Sequence, residues 1–408
     1  MEAPAETTWR GFSLAERDRR WQMVRDNAVK AGFDCTFVPL CIDGRNLHLS
    51  LEQARGTRSD GRYLTLLENA AFIQPSDGRE PIVVTERGEK NTWVTETRSV
   101  NRGARGSWGG ALTEALLDLG MERARIGVVG LKGGKVTHGR AADGVVNHTA
   151  YAEVKRLLPD ARFEDATDVV GFARYIKGPE ELDALRRGAR IAAAGIDEMA
   201  ATARPGVNSA VVYARVMRRL LELGSEYYPL AWRIGRPGGE APRYEEPSWH
   251  IEFKPMHYIS HETDAVVGGL IAQEQHPILL GPIPDDLRRV ADLQRDLFYG
   301  GLNAMKPGTT LGELIDFTNS FGEKRGMRTL ILMHGRGYGN DGPLLTPADR
   351  GAEAFRDVPF EKDNVFVWKP IAYSADGHLQ VSFGGVTIVG DTGGELVTGR
   401  EPGILSVA

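Results

Sequence analysis

Only two cysteines, Cys35 and Cys41, occur in 408 residues. So few thiols exclude a disulfide scaffold and fit a reducing compartment. No run of eighteen apolar residues is present, which argues against a membrane-spanning helix. The first stretch, MEAPAETTWRGFSLAERDRR, lacks an apolar core and carries acidic side chains, so it does not read as a secretory leader. A cytoplasmic protein without membrane contact is the expectation. Basic excess is missing too. Fifty Lys and Arg against 55 Asp and Glu leave a net charge of -5, which speaks against nucleic-acid binding. What remains is an ordinary globular balance, 41% hydrophobic and 26% charged, in a chain too long for one ordinary core.

Helical and strand periodicities alternate through roughly the first 170 residues. SLAERDRRWQMVRDNAVKAG reads as an amphipathic helix followed by the apolar strand CTFVPLCI. AAFIQP and PIVVT flank SDGRE, whose Asp77-Gly78 suits a tight hairpin turn. ALTEALLDLG then leads into RIGVVG, and YAEVKRLLP into ARFEDAT. Such alternation predicts a small α/β domain over 1–172. RIGVVGLKGG lacks the GxGxxG spacing of a dinucleotide site, and no cofactor is expected there.

From Gly178 the texture changes. GPEELDALRRGARIAAAGIDEMAATARPG carries apolar residues at Leu182, Leu185, Ala189, Ala192, Ile196 and Met199, close to helical period. A repeat lies beyond it. ARPGVNSAVVYARVMRRLLELG and MKPGTTLGELIDFTNSFGEKRG both run basic residue, Pro, Gly, polar N-cap stretch and amphipathic helix, about 100 residues apart. Two such halves bury one core between them and leave a cleft along their pseudo-two-fold axis. The expectation for 173–408 is therefore an α+β domain with an internal repeat. Within it, HYISHETDAVVGGLIAQEQHP, residues 257–277, gathers three of the nine histidines and three acidic residues.

These features resemble the creatinase, prolidase and aminopeptidase P family, of M24 type. YIKGPEELDALRRGARIA is similar to its domain-linking strand and first helix, ARPG and MKPG to its repeated helix entries, and GRYLTLLENAAFIQPSDGREPIVV to strands of its N-terminal domain. HGRGYG, WKP and TIVGDTGGELVT fall where the family places later site motifs. The resemblance implies an α/β N-terminal domain, a "pita-bread" catalytic domain and a homodimer.

The metallopeptidases of this family hold two divalent ions with two Asp, one His and two Glu, and a bridging water becomes the nucleophile. Carried over position by position, the first Asp falls in HETD, on Glu262 or Asp264. The second falls on or near Gln273 or Glu274. The His is replaced by Arg336 and the first Glu by Lys369. The final Glu falls at or near Gly384 or Gly385, which have no side chain. Two cations in place of ligands would repel dications, so the expectation is no metal and no cofactor.

Two arrangements of the altered centre are open at this point. Arg336 and Lys369 either neutralise Glu262 and Asp264 as internal ion pairs, or hold an anionic group of the substrate, Arg336 in bidentate fashion. Creatinase is the family's metal-free precedent and cleaves a C–N bond with His as acid–base and Glu residues binding the guanidinium. By that resemblance the catalytic candidates are His250, His257, His261, Glu262, Glu274 and His276, since imidazoles exchange protons readily near neutrality. His334, Arg336, Tyr338, Asp341 and Lys369 are the substrate-binding candidates. In the homodimer, one of Arg45, Arg55, Arg58 and Arg62 would reach a substrate carboxylate in trans. The leading expectation is a metal-independent hydrolase of a C–N bond in a small polar, anionic substrate. The alternatives are an Xaa-Pro peptidase with unorthodox ligands, a lyase, and an inactive peptide-binding module.

Overall fold

The computed structural model describes residues 11–39, 60–67, 69–103, 105–135, 144–238, 251–346 and 355–407. The chain divides into two compact units, one of residues 11–180 with 338–343 and one of residues 181–337 with 344–408. The expected boundary at 172/173 lies inside the helix Thr167–Tyr175, which belongs with the first unit.

The first unit is built on a six-stranded mixed sheet. Its strands are β1 (Cys35–Val38), β2 (Ala70–Pro75), β3 (Ile82–Thr85), β4 (Arg98–Ser99), β5 (Arg125–Val128) and β6 (Arg162–Asp165), in the order β4-β3-β2-β1-β5-β6. The SDGRE turn joins β2 to the antiparallel β3, with Gly78 at φ 96° and the Asp77 carboxylate accepting the Arg79 N–H. Leu112 and Leu116 of the helix Trp108–Asp118 and Val154 of the helix His148–Leu157 pack on Phe37, Ile73, Ile126 and Val128. The helix Leu14–Lys30 begins where Ser13 accepts the Glu16 N–H, as an N-cap should.

The second unit repeats one device. After the helix Pro179–Thr202, Pro205-Gly206 turns the chain into the helix Ser209–Glu222. After the helix Asp285–Ala304, Pro307-Gly308 turns it into the helix Leu311–Glu323. Gly206 and Gly308 hold nearly the same left-handed φ, 86° and 88°, a conformation that glycine adopts without penalty. Asn208 caps one helix, and a Thr310–Glu313 capping box starts the other.

Strands β7 (Ala231–Gly235), β8 (Tyr258–Val267), β9 (Leu270–Gln275), β10 (Ile278–Leu280), β12 (Met333–Gly335), β13 (Leu344–Leu345), β14 (Val365–Trp368), β17 (Gly384–Val389), β18 (Gly394–Leu396) and β19 (Leu405–Val407) form the large sheet. The others, β11 (Arg328–Leu330), β15 (Ile371–Tyr373) and β16 (Gln380–Ser382), form a small one. Gly268-Gly269, both at positive φ, turn β8 into β9 as a two-residue hairpin. That turn fixes the register Asp264↔Gln273 and Thr263↔Glu274. The ladder continues Glu274↔Gly385, Gly385↔Trp368 and Val367↔His334.

Residues paired directly across a ladder share a face, and neighbours along a strand alternate. Glu262, Asp264, Gln273, His334 and Lys369 therefore occupy one face, and His261, Thr263, Glu274, His276 and Trp368 the other. Helices cover the second face. A Cβ on Gly188 would meet the Ala272 side chain at 2.9 Å, and one on Gly195 would meet Thr263 at 3.4 Å.

Candidate active site

On the first face four charged side chains form two buried ion pairs. The Lys369 ammonium donates to Glu262 and, at 3.0 Å, to the Gln273 side-chain oxygen. The Arg336 guanidinium donates to Asp264 at 2.5 Å. Gln273 joins the pairs, since its amide nitrogen donates to Asp264 at 3.1 Å. Its orientation follows from chemistry: a carboxylate only accepts and an ammonium only donates. His334 Nε2 lies 3.2 Å from the same Gln273 oxygen. Every member is buried, and only the Glu262 side chain, at 10% exposure, keeps appreciable contact with solvent.

Pairing is what permits these charges inside the protein, because an isolated buried ion is far too costly. Of the two arrangements open from sequence, the internal ion pairs are the one present. Arg336 and Lys369, expected to bind substrate, are paired with Asp264 and Glu262.

The opposite face carries a second polar group of a different kind. His261 Nε2 lies 2.8 Å from the His276 carbonyl, and its Nδ1 lies 2.9 Å from the Thr263 hydroxyl. Both nitrogens are thus engaged, with Nε2 the donor. Burial pushes the His261 pKa down to about 4, against the upward pull of that carbonyl and of Glu262. Burial, helped by Arg400 and His261, takes His276 to about 3. Glu274 is pushed well above the usual carboxylate range by burial, against the opposing Val386 N–H and Arg400. Glu274 and His276 lie 3.8 Å apart, and both directions make them a neutral acid beside a neutral imidazole rather than an ion pair.

The expected catalytic set is therefore divided. Glu262 joins the charged network, as does His334 from the substrate-binding candidates, whereas His261, Glu274 and His276 lie behind the sheet under helices. His257 is half-buried in the turn before β8, and its Nδ1 accepts the Lys254 N–H at 3.3 Å. Burial, then Arg236 and Lys254, lower its pKa. Five residues of strand, about 16 Å, separate it from Glu262. His250, with Arg45, Arg55 and Arg58, lies outside the described residues.

Tyr338 and Asp341, expected as substrate-binding groups, are engaged within the first unit. The Tyr338 hydroxyl accepts from Arg20 at 3.1 Å. Asp341 pairs with Arg174 at 2.5 Å and Lys177 at 3.4 Å, and accepts the Tyr338 N–H at 3.0 Å. Burial alone would raise its pKa, but Arg174 and Lys177 hold it below the usual range. Arg174 also binds Asp60. Arg62 is half-buried in the helix Asp60–Thr65.

Gly385 explains how Glu274 is accommodated. A Cβ there would lie 2.0 Å from the Glu274 carboxylate, so the glycine leaves the volume that the acid occupies. Its neighbour Gly384 would drive a Cβ to 2.0 Å from the Trp368 carbonyl. A side chain at Gly384 would strike backbone, and one at Gly385 would require the Glu274 carboxyl to move.

The sequence profile of metallopeptidase family M24 matches residues 183–392, just over half of the chain. The chain belongs to that family, which places it among the hydrolases. Its fold is that of the pita-bread proteins. An Xaa-Pro dipeptidase from Bacillus anthracis superposes with a TM-score of 0.72 at 17% identity, over 96% of this chain and 100% of that one. An X-Pro aminopeptidase from Thermotoga maritima gives 0.70 at 16% identity, over 96% and 99%. A dipeptidase from Pyrococcus horikoshii gives 0.72 at 16%, over 95% and 100%. In sequence, the uncharacterized hydrolase/peptidase y4tL of Sinorhizobium fredii is 28% identical over 192 residues, 44% of this chain and 45% of that protein. The chain thus matches less than half the length of that relative.

The donor set does not fit the paired dications of the family. Lys369 and Arg336 place their own charges against Glu262 and Asp264, Gln273 is an uncharged amide, and Gly384 and Gly385 offer nothing. Among the described residues, no group of three or more His, Cys, Asp or Glu side chains is arranged to hold a metal ion. No described helix is long and apolar enough to cross a membrane.

Proposed function

We propose that the protein is a metal-independent hydrolase of a C–N bond in a small polar, anionic substrate, a creatinase-like member of its family. The observation that carries this is the pair of buried cations, Lys369 on Glu262 and Arg336 on Asp264, which supplies from side chains the positive charge that paired metals would bring.

In this reading water adds to the carbon of the scissile bond, and the C–N bond breaks as the nitrogen takes up a proton. Glu262, the network's one partly exposed carboxylate, orients the water. His334, the described histidine that joins the network, carries the proton to the leaving nitrogen. Lys369 stabilises the charge that develops on the attacked centre; fixed charges in a dry site act strongly on a transition state. The neutral pair behind the sheet takes no part. A small-molecule substrate and a homodimeric assembly go with this proposal.

The test is a panel of N-amidino, N-carbamoyl and N-acyl amino acids with Xaa-Pro dipeptides, assayed after exhaustive chelation. Turnover that survives chelation and falls at least about 100-fold in His334→Ala supports the proposal. Activity that appears only on adding manganese, cobalt or zinc contradicts it and favours a metallopeptidase. A second reading, a non-catalytic binding module, draws support from one feature: each described charge of the network is already answered by another. Absence of turnover across the panel, with tight peptide binding, would select it.

A further inference from the structure

Lys369 sits between two residues that face the other way. Trp368 turns toward the helix Asp285–Ala304, where its indole N–H donates to the Phe298 carbonyl at 3.0 Å. A Cβ on Gly301 would lie 2.4 Å from that indole, so glycine is what lets the ring approach. The Pro370 carbonyl accepts from the Gln294 side-chain nitrogen at 2.8 Å, and the same nitrogen donates to the Phe383 carbonyl at 2.8 Å. Gln294, Phe298 and Gly301 stand at i, i+4 and i+7, one stripe of the helix.

Gln294 is fully buried among Leu287, Val290 and Leu297, which makes it the polar exception in an apolar stripe. Its amide can be oriented only one way, because two carbonyls demand a donor. The peptide groups of Lys369 are held as well. Its N–H donates to the Leu332 carbonyl at 3.1 Å, and its carbonyl accepts from the Ser382 hydroxyl at 2.8 Å. From this clamped backbone the side chain leaves on the opposite face to reach Glu262 and Gln273.

We propose that Gln294, aided by Ser382, is the positioning residue that aims Lys369 at Glu262 and Gln273. This rests on the reading of Lys369 as the side-chain replacement for metal charge. Gln294 acts from behind the sheet, through the backbone, and touches none of the reacting groups. Sequence held a faint signal for it, a Gln inside the apolar period of ADLQRDLF.

Gln294→Glu tests this with almost no change in size, since a buried carboxyl has at most one O–H to donate and cannot bridge the two carbonyls through an NH2 group. The readout is site-resolved labelling of lysines in the full native chain by an amine-reactive reagent, followed by mass spectrometry. Lys177, buried against Asp341 in the other unit, is the internal standard. Both lysines should be protected in the wild type. In Gln294→Glu, Lys369 labelling should rise roughly tenfold, equivalent to about 1.4 kcal/mol, while Lys177 stays unchanged. If that variant does not fold, Ser382→Ala should expose Lys369 in the same selective way, and Ser382→Thr should restore protection.

Equal protection of both lysines in the folded variants, or exposure of both together, overturns the proposal, even where the melting temperature falls. The outcome is separable from the functional reading. Stoichiometric metal bound at Glu262 would end the metal-independent reading, whereas unchanged Lys369 protection would end only the positioning role.

Discussion

Lys369→Met removes one charge from a buried pair and keeps nearly the same side-chain length. The wild-type ammonium is 1% exposed and bonded to Glu262 and Gln273. Losing it leaves the buried Glu262 carboxyl without the Lys369 charge, and breaking a buried pair in this way costs about 3–5 kcal/mol. The 10% exposure of Glu262 lets some water return, which favours the lower end of that range. A unit of this size loses roughly 2–4 °C of melting temperature per kcal/mol, so a fall of about 6–12 °C is expected by calorimetry.

The partner variant decides the cause. Replacing both members with apolar residues is often neutral or stabilising, so Lys369→Met with Glu262→Leu should recover most of the loss. An additive double variant, or a single variant as stable as the wild type, would refute the claim that these two groups neutralise each other.

The buried histidines set the acid limb of stability. Their folded pKa values, about 4 for His261 and about 3 for His276, lie below the ordinary 6.5, so their contribution is complete above pH 6.5 and is lost as pH falls through those values. The His261 share is about 3 kcal/mol, and a urea series from pH 7 to pH 4 should show it; a flat profile would contradict the assignment. Glu274, raised from 4.5, acts in the opposite sense. Its neutral form stabilises fully below pH 4.5 and that stability is lost as pH rises toward the folded value, so Glu274→Gln should remove a decline on the alkaline side. Gly385→Ala should destabilise by about 1–3 kcal/mol through overpacking against Glu274, and shortening Glu274 to Ala should relieve it in the double variant. Asp341→Ala, which breaks the buried pairs of Asp341 with Arg174 and Lys177 and leaves Asp60 on Arg174, should cost about 3–5 kcal/mol in chemical denaturation, and a change under about 1 kcal/mol would show the cluster to be solvated.

The fold was legible because its signals are local. Pro-Gly turns before capped helices recur at 205–206 and 307–308, and apolar period marks the helices between them. The substitution of cations for ligands was equally legible at Arg336 and Lys369, because charge is carried by residue type. Facing was harder. Glu262, Glu274 and three histidines sit within twenty residues, yet a strand sends neighbours to opposite sides. Only the register set by Gly268-Gly269 tells which acid meets Lys369. Read as a two-residue hairpin, that Gly-Gly pair would have placed Gln273 with Asp264 and moved Glu274 behind the sheet. Partners from distant segments, Asp341 with Arg174 and Gln294 with the Pro370 carbonyl, have no sequence signal beyond a polar residue among apolar ones.

The most direct test is the metal content of the native protein, purified without chelator and then titrated with manganese and zinc under calorimetry. Charge supplied by Lys369 and Arg336 leaves room for neither ion. The expected result is far below one metal per chain and no saturable heat at this site. One or two ions per chain, lost together with stability when Glu262 is changed to Ala, would contradict it.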